Sequence, residues 1–329
     1  MTKILWVAYL MVAPALMVAA GAEAQAAFPT GFPNKPISML VGFAPGGGTD
    51  TAARIVAKKL SVNLGQPVVI ENNPGAGGNI AHEIVSKANP DGHTILLGSV
   101  GPLTVSPHIV SNLPYNPLRD FAPLTMAVIF PNMLVVNNTV PARTLAEFVK
   151  LASAKPGAVN YGSSGIGGAG HLAGELLGMV ANVKMVHVPY KGGAPAMSDL
   201  LGGQIMSIFA TPVTGGPQVK AGKIRALAVT GLTRTQSLSD VPTVAESGYP
   251  GYEALNWFCY LAPARTPREI VQRWQRELVA ILSDTDIKGQ LFSHGMEPAP
   301  GTGEALQKYI EREYATWGKV VKAAGITAN

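Results

Sequence analysis

A Gly-rich turn in the first third of this 329-residue chain is the segment best suited to hold a ligand through its backbone. It lies in FAPGGGTDTAARIVAKKL, residues 43–60, where three glycines follow a short apolar run and precede an amphipathic pattern. The first N–H groups of a helix have no intrahelical acceptor, and with the helix dipole they favour an anion. Capping of the helix by Thr49 or Asp50 is the alternative interpretation of the same turn.

Nucleotide-binding signatures do not fit this turn. A dinucleotide fingerprint starting at Gly46 needs glycine at position 51, where the chain has Thr51. A phosphate loop starting there needs Lys and then Ser or Thr, where the chain has Ala52 and Ala53. A smaller anion is therefore predicted. Asp50 would repel a bound carboxylate unless it turned away or held a bridging water, and otherwise it caps.

Catalytic and metal-binding motifs are also incomplete. HEIVS at His82 has Ser86 where a zinc-protease helix needs its second His. GSSGI, which starts at Gly162, ends at Ile166 where a nucleophile elbow needs Gly. The six His have no metal-ligand spacing. His187 lies in a predicted strand, which favours a hydrogen-bonded structural role over a general base. No enzyme, metal or cofactor is predicted.

Two other reactive side chains, His171 and Cys259, lie outside these motifs. His171 follows a Gly-rich loop at the predicted start of a helix, so a contact with the helix end and a contact with a ligand are both open. Cys259 is the single cysteine, so it cannot form an internal disulfide. A buried free thiol is favoured for it, because NWFCYLAP supplies no nearby base.

Composition excludes two broad classes of protein. The chain is 47% hydrophobic and 14% charged, which is typical of a folded protein rather than a disordered one. Its net charge is +5, but the basic residues do not cluster beyond Lys58 and Lys59. A nucleic-acid partner is therefore not predicted.

The N-terminal segment predicts export. MTKILWVAYLMVAPALMVAAGAEAQAAFPT has one cation, an apolar stretch from Ile4 to Ala20, and two A-x-A cleavage patterns at residues 22–26. A retained membrane anchor is the alternative, since about 17 apolar residues is near the lower limit for spanning. Pro14 and the cleavage patterns favour removal of a signal peptide, residues 1–26, and a periplasmic location.

Apolar β-rich runs alternate with helical patterns along the rest of the chain, which predicts an α/β fold with mostly parallel sheets. The predicted strands are Ile37–Phe43, Val68–Ile70, Thr94–Leu97, Met133–Val136, Met185–Val188, Ile205–Phe209 and Ile224–Val229. The predicted helices are Thr51–Leu64, Asn79–Lys87, Leu145–Ala154, Gly170–Met179, Ala194–Leu201, Pro267–Leu282 and Glu304–Ala324.

Gly-rich loops occur at four predicted strand-to-helix junctions: APGGGTD, NPGAGGN, GSSGIGGAGH and YKGGAP. In open α/β sheets, loops at the carboxyl ends of strands bind ligands. Two of these loops lie in the first third of the chain and two in the middle third. This distribution predicts two lobes that present loops and helix N-termini to one cleft.

Many ordered segments resemble one family. They include FPNKPISMLVGFAPGGGTDTAARIVAKKL, LGQPVVIENNPGAGGNIA, NPDGHTILLG, LPYNPLRDFAPLT, HLAGELL, VHVPYKGGAPAMSDLLGGQI, AGKIRALAVTGLTR, VPTVAESGYPGYEALNWF and LAPARTP. The chain resembles the Bug family, the exported substrate-binding proteins of tripartite tricarboxylate transporters. The resemblance covers essentially the whole chain after the N-terminal segment.

The resemblance implies a two-lobed periplasmic-binding-protein (Venus flytrap) fold that closes over a small organic acid, a di- or aromatic carboxylate. First-lobe loops would fix one carboxylate, partly through ordered water. The matching candidate ligand-binding positions are Pro45, Gly47, Gly48, Thr49, Asp50, Asn79, Ser99, Ser163, Ser164, Gly165, Tyr190, Lys191, Gly192 and Thr211. For Lys191, a side chain in the cleft and a solvated one are both open.

Two positions depart from the family pattern. Many relatives have an acidic residue at the end of the strand after GGQI, where this chain has Ala210 followed by Thr211. An acid there could pair with a ligand ammonium, so its absence predicts an acid without an amino group. Cys259 and Tyr260 stand where relatives tend to have Gly, and either a narrower pocket or altered hinge packing could follow.

The resemblance and the chain pattern together predict the organisation and the role. Lobe 1 is expected to hold residues 28–125 and 241–329, and lobe 2 residues 126–240. The predicted role is capture of an organic acid for a membrane permease by a monomeric protein. The alternatives are presentation of the ligand to a sensor and, less favoured, an exported hydrolase using Ser163 or Ser164 with a His.

Overall fold

A computed structural model describes residues 31–235 and 238–327 of the chain. The predicted signal peptide, residues 1–26, lies outside this described part. The described elements form two β-sheets flanked by helices, so the predicted α/β class is confirmed.

The elements of the first half run in the following order. They are β1 (Ile37–Val41), α1 (Gly48–Leu64), β2 (Val68–Asn72), a 3₁₀ turn (Ala76–Gly78), α2 (Asn79–Ser86), β3 (Thr94–Ser99), a π-helical turn (Gly101–Val105), α3 (Ser106–Ile109), β4 (Phe121–Pro131), β5 (Met133–Asn137) and α4 (Leu145–Ala154).

The second half continues the alternation and then returns to the first sheet. Its elements are β6 (Asn160–Ser163), α5 (Ala169–Ala181), β7 (Val186–Pro189), α6 (Gly193–Leu201), β8 (Ser207–Ala210), α7 (Pro212–Lys220), β9 (Ile224–Val229), β10 (Leu255–Pro263), α8 (Arg268–Ser283), α9 (Thr285–Ser293), β11 (Glu297–Pro298) and α10 (Gly303–Ala324).

Both sheets are mixed. The first has the strand order β11-β4-β10-β3-β1-β2, and the second has the order β7-β6-β8-β5-β9. In the described residues β1 pairs in parallel with β2 and β3, β6 pairs in parallel with β7 and β8, and the remaining pairings are antiparallel. The expectation of mostly parallel sheets was wrong, because β10 pairs antiparallel with β3 and β4 inside the first sheet, and β5 pairs antiparallel with β8 and β9 inside the second.

The chain crosses between the two sheets twice. The first crossing is at Asn132, between β4 and β5, and the second lies between β9 and β10. Thr230 ties the crossings together: its Oγ1 accepts the N–H of Asn132 at 2.8 Å and donates to the carbonyl of Ala254 at 2.7 Å. Its own N–H donates to the carbonyl of Asn132 at 2.9 Å. Paired backbone and side-chain bonds of this kind fix the two crossings against each other.

Helix α1 buries the predicted apolar face. Ala53, Val56, Ala57 and Leu60 are all buried in the first-sheet core, as the 3.6-residue spacing requires. The alternative interpretation, capping of the helix by Thr49 or Asp50, does not hold. The helix starts at Gly48, its N-cap position is glycine, and no side chain caps it.

Candidate functional site

A cavity lies between the two sheets and encloses about 560 Å³ of empty space, counting the part open to solvent. Residues of both sheets, of the loops and helix starts that follow their strands, and Asn132 at the first crossing line it. They are Phe43, Gly47, Gly48, Thr49, Ser99, Val100, Gly101, Asn132, Ser164, Gly168, Ala169, Gly170, Gly193, Ile208, Phe209, Ala210, Thr211, Asn256 and Phe258.

Helix N-termini converge on this cavity from both lobes. Helix α1 contributes Gly48, α5 contributes Ala169 and Gly170, α6 contributes Gly193, and Thr211 is the N-cap of α7. The leading N–H groups of each helix lack intrahelical acceptors and carry the positive end of the helix dipole. The arrangement therefore favours a negatively charged group in the cavity.

None of the described residues that line the cavity has an ionisable side chain. The polar side chains are the hydroxyl and amide groups of Thr49, Ser99, Asn132, Ser164, Thr211 and Asn256, and the apolar wall includes Phe43, Phe209 and Phe258. A site of this composition binds an anion through neutral donors and packs an apolar body against aromatic rings.

Two of the polar side chains are buried without a partner. Ser99 is 3% exposed and Asn132 is 1% exposed, and neither the Ser99 Oγ nor the Asn132 Nδ2 atom has a hydrogen bond within the described part of the chain. Buried polar groups are almost always paired, so these two donors are available for a ligand or a water in the cavity.

The Asp50 carboxylate turns back onto the Gly-rich loop. It accepts the Gly46 N–H at 3.0 Å, the Arg54 Nε–H at 2.9 Å and the Asn72 Nδ2–H at 3.0 Å. Burial opposes ionisation of Asp50, but the hydrogen bonds from Arg54, Gly46 and Asn72 outweigh it and lower its pKa. An ionised Asp50 with all these donors holds the shape of residues 43–48 and is partly neutralised by Arg54.

The structure brings six of the predicted ligand-binding residues to the cavity lining: Gly47, Gly48, Thr49, Ser99, Ser164 and Thr211. Eight others do not line it: Pro45, Asp50, Asn79, Ser163, Gly165, Tyr190, Lys191 and Gly192. Several of these eight have other partners. The Asn79 amide oxygen accepts from Tyr115, Tyr190 donates to Asp199, and Lys191 is exposed. As a set, the fourteen residues stay a prediction of ligand contact.

Ser163 belongs to a buried cluster behind the second-lobe loop. Its Oγ lies 2.6 Å from His187 Nε2 and accepts the Gly165 N–H at 3.1 Å. The His171 and His187 rings stack with centroids 4.0 Å apart, and the Gly167 N–H donates to His171 Nδ1 at 3.0 Å. Burial, and then the charge of His171, lower the pKa of His187 to about 3, so His187 is neutral at neutral pH.

This cluster supports a structural role for both histidines. The hydrogen-bonded role predicted for His187 is confirmed, and His171 contacts the loop before its own helix. Ser163 is fully buried and does not line the cavity, so a substrate bound there would not reach its hydroxyl. The Ser–His pair therefore holds the loop that carries Ser164 rather than forming a nucleophile.

Glycines of the two lobes meet across the mouth of the cavity. The Ala44 N–H donates to the carbonyl of Lys191 at 3.0 Å. A Cβ added at Gly77 would lie 2.2 Å from the carbonyl oxygen of Ile166, and one added at Gly101 would lie 2.7 Å from that of Gly167. The backbones approach this closely only because these positions lack side chains. The cleft is closed in this structure.

Sequence reasoning missed the residues at the crossings and on the aromatic wall. Asn132, Asn256 and Phe258 lie outside the Gly-rich loops, and no local motif marks them. Cys259 and Tyr260 are fully buried in β10 and do not line the cavity. Of the two interpretations given for this pair, a narrower pocket and altered packing, only altered packing agrees with this position. Burial also raises the pKa of the Cys259 thiol, which is inert in this position.

Two lobes of mixed sheets around an anion-favouring cavity define a two-lobed solute-binding protein of the periplasmic-binding class. The family model described as "Tripartite tricarboxylate transporter family receptor" matches residues 52–326, and the chain belongs to that family. Receptors of this family are periplasmic binding proteins. No helix in the described part of the chain has the length and apolarity needed to cross a membrane.

Three relatives illustrate the similarity. BugT of Bordetella pertussis is 34% identical over 295 residues, which cover 89% of this chain and 90% of BugT, and the predicted Bug-family membership is confirmed. A protein of R. palustris solved with adipate is 38% identical, with a TM-score of 0.87 and coverage of 90% and 99%. MatC of Rhodopseudomonas palustris, solved with bound malate, is 30% identical, with a TM-score of 0.84 and coverage of 88% and 100%.

Proposed function

We propose that this protein captures a small organic acid, a di- or aromatic carboxylate without an amino group, for uptake by a tripartite tricarboxylate transporter. The observation that carries the proposal is the convergence of helix N-termini from both lobes on a cavity lined by neutral donors. Relatives that bind adipate and malate support the carboxylate class.

In this proposal, groups from both lobes bind one carboxylate of the ligand, and aromatic rings contact the rest of it. The N–H groups of Gly48 and Thr49, with the hydroxyl of Ser164 opposite them, bind a carboxylate. The rings of Phe43 and Phe258 pack against the body of the ligand. Ala210 stands in the lining where an acid would be needed to pair with an ammonium, so amino acids bind more weakly than amine-free acids.

Export and hinge motion complete the proposal. Cleavage near residues 24–26 releases the protein into the periplasm, where a permease receives the ligand. The lobe division near residues 126 and 240 stays a prediction. Two observations support it: the chain passes between the sheets at Asn132, and it passes back in the connection between β9 and β10, residues 230–254, which contains residue 240.

A binding screen tests the proposal. Thermal shift and then calorimetry of the mature protein would cover aliphatic and aromatic mono-, di- and tricarboxylates, with aspartate and glutamate included. An acid at 100 times its Kd stabilises the fold by about 2.7 kcal/mol, which moves the unfolding midpoint by a few degrees. Tightest binding of aspartate or glutamate would contradict the amine-free class, and an empty protein that responds to no acid would contradict the carboxylate role.

Replacing Ser164 tests the anion end of the cavity. Hydrogen bonds to charged groups contribute about 1.5–3 kcal/mol, so Ser164→Ala lowers affinity for the best acid by about tenfold or more. Ser198→Ala is the matched control. Ser198 is exposed on α6 and bonds only its own helix at Ala194, so this change leaves affinity as it was. Equal affinities of the Ser164 variant and the control would remove Ser164 from the site.

A further inference from the structure

Three polar residues lie together at the crossing side of the cavity. Ser99 ends β3 and is paired with Phe258 of β10, and Asn256 stands two residues earlier on the same strand. Asn132 lies at the first crossing, and its Oδ1 accepts from Asn256 Nδ2 at 3.4 Å. All three line the cavity, and Asn132 belongs to a segment that links the two sheets.

The hydrogen bonding of this group sets what it offers to a ligand. The Asn132 oxygen accepts from Asn256, which leaves Nδ2 of Asn132 as a buried donor without a partner in the described part of the chain. The Ser99 hydroxyl is also unpaired and can donate. No charged side chain is near enough to line this end in the described part of the chain. Two neutral donors beside the Phe258 ring suit an oxygen acceptor and disfavour an ammonium.

We propose that Ser99 and Asn132 form a subsite for an oxygen acceptor at the end of the ligand remote from its anchored carboxylate. A second carboxylate and a carbonyl or ring hydroxyl oxygen share this chemistry. The inference rests on the proposed function, in which Gly48, Thr49 and Ser164 hold the first carboxylate. It adds a determinant of specificity that belongs to the hinge rather than to the Gly-rich loops.

The position of the subsite also links recognition to closure. The Asn132 backbone is bonded through Thr230 to Ala254, so an acceptor bound by the Asn132 amide contacts the segment about which the lobes turn. An acid with no such acceptor leaves both donors buried and unpaired in the closed form. Closure over that acid is therefore less favourable, and its affinity falls.

Matched pairs of acids test the subsite by calorimetry on the mature full chain. The pairs are hexanoate with adipate, benzoate with 4-hydroxybenzoate, and benzoate with terephthalate. Both members of each pair have one carboxylate, and the second member adds a remote hydroxyl or carboxylate group. In at least one pair the member with the remote oxygen binds at least tenfold more tightly to the unchanged protein. Asn132→Leu and Ser99→Ala reduce that ratio to threefold or less.

Two further variants separate recognition from folding. Ser164→Ala lies at the anion end, so it weakens both members of a pair alike and keeps their ratio. Asn132→Asp keeps the shape of the side chain and puts a carboxylate beside the acceptor, so adipate and terephthalate lose more affinity than hexanoate and benzoate. Should Asn132→Leu fail to fold, Asn132→Asp and Ser99→Ala carry the test.

The outcomes distinguish the inference from the function beneath it. A ratio near one in the unchanged protein, or a ratio that survives both Ser99→Ala and the Asn132 changes, overturns the subsite and leaves the carboxylate receptor intact. Failure of every acid in the pairs and in the wider screen overturns the receptor as well. A ratio lost only in the subsite variants establishes the inference.

Discussion

His82 shows how one buried side chain makes stability depend on pH. It is 1% exposed, its Nδ1 atom is 2.9 Å from the carbonyl oxygen of Gly78, and its Nε2 atom has no partner in the described part of the chain. Burial lowers the pKa of His82 to about 4, against a bond to Gly78 that raises it. Tyr115 stacks on the ring and Phe121 meets it edge-on, so protonation would place a charge among neutral rings.

The sign of the effect follows from the two states. Unfolded His82 takes up a proton near pH 6.5, whereas the folded side chain stays neutral until about pH 4. The unfolded state therefore binds more protons in this window, and the free energy of unfolding falls by about 1.4 kcal/mol per pH unit as pH drops. Above pH 6.5 this contribution is complete.

We predict that the free energy of unfolding of His82→Gln depends less steeply on pH, because the variant takes up about one proton fewer when it unfolds in acid. Urea unfolding at pH 7 and pH 5 would measure it: the unchanged chain loses about 2 kcal/mol more than the variant over this interval. His82→Gln is also less stable at pH 7, because ring packing is lost, so the comparison is of slopes. A variant with an undiminished slope would assign the acid sensitivity elsewhere.

At the scale of elements, two glycines in open space isolate the effect of backbone conformation. Gly289 lies within α9 and Gly65 is the left-handed C-cap of α1, with φ of 65°. A Cβ added at either would meet no atom within 4 Å. Side-chain contacts therefore cannot explain a difference between them.

Opposite effects are expected for alanine at these two positions. Gly289→Ala stabilises the fold by about 0.5–1 kcal/mol, because glycine within a helix has excess freedom in the unfolded chain. Gly65→Ala destabilises it by about 1 kcal/mol, because alanine is strained at positive φ. Denaturant unfolding of the pair gives both values, and changes of the same sign would refute the backbone explanation.

Prediction of elements from the sequence succeeded where the pattern was local. Leu145–Ala154 and Ile224–Val229 have the predicted bounds, and every other predicted strand and helix is present with small shifts. The strands β4, β10 and β11 and the helices α3, α7 and α9 were missed. β4 contains Pro123 and ends at Pro131, and β10 is apolar from Trp257 onward without period-2 alternation, so neither has the usual strand signal.

The same contrast between local and non-local signals holds for the residues that line the cavity. The Gly-rich loops and helix starts are legible in the sequence, which is why Gly48, Thr49 and Ser164 were found. Asn132 and Asn256 reach the cavity only because distant strands cross beside each other, a relation that no window of the sequence contains. For Asp50 the sequence left a turned-away carboxylate, a water bridge to the anion and a cap open, because the Arg54 and Asn72 partners that turn it away lie outside the turn.

For the whole molecule, the closed cleft depends on close approach of two backbones. Gly101, in the π-helical turn of the first lobe, faces Gly167 and Gly168 of the second. Its φ is not positive, so alanine is tolerated locally. Only the closed form brings a new Cβ within 2.7 Å of the Gly167 carbonyl oxygen.

We predict that Gly101→Ala shifts the protein toward an open form. Small-angle scattering with saturating acid would show a larger radius of gyration than for the unchanged protein, and calorimetry would show at least tenfold weaker binding. The control is Gly216→Ala in α7, where a Cβ meets no atom within 4 Å and neither measurement changes. Complete compaction of Gly101→Ala by the acid would mean that the lobes tolerate the extra methyl group.

The absence of ionisable side chains among the described lining residues has a consequence for the surroundings in which the receptor works. Because the described lining residues offer backbone dipoles and neutral side chains, the cavity wall carries the same charge in a mildly acidic medium as in a neutral one. Which protonation state is taken up is then decided by the acid itself. A weak acid would be withdrawn from the medium in proportion to its anion, whatever the prevailing pH.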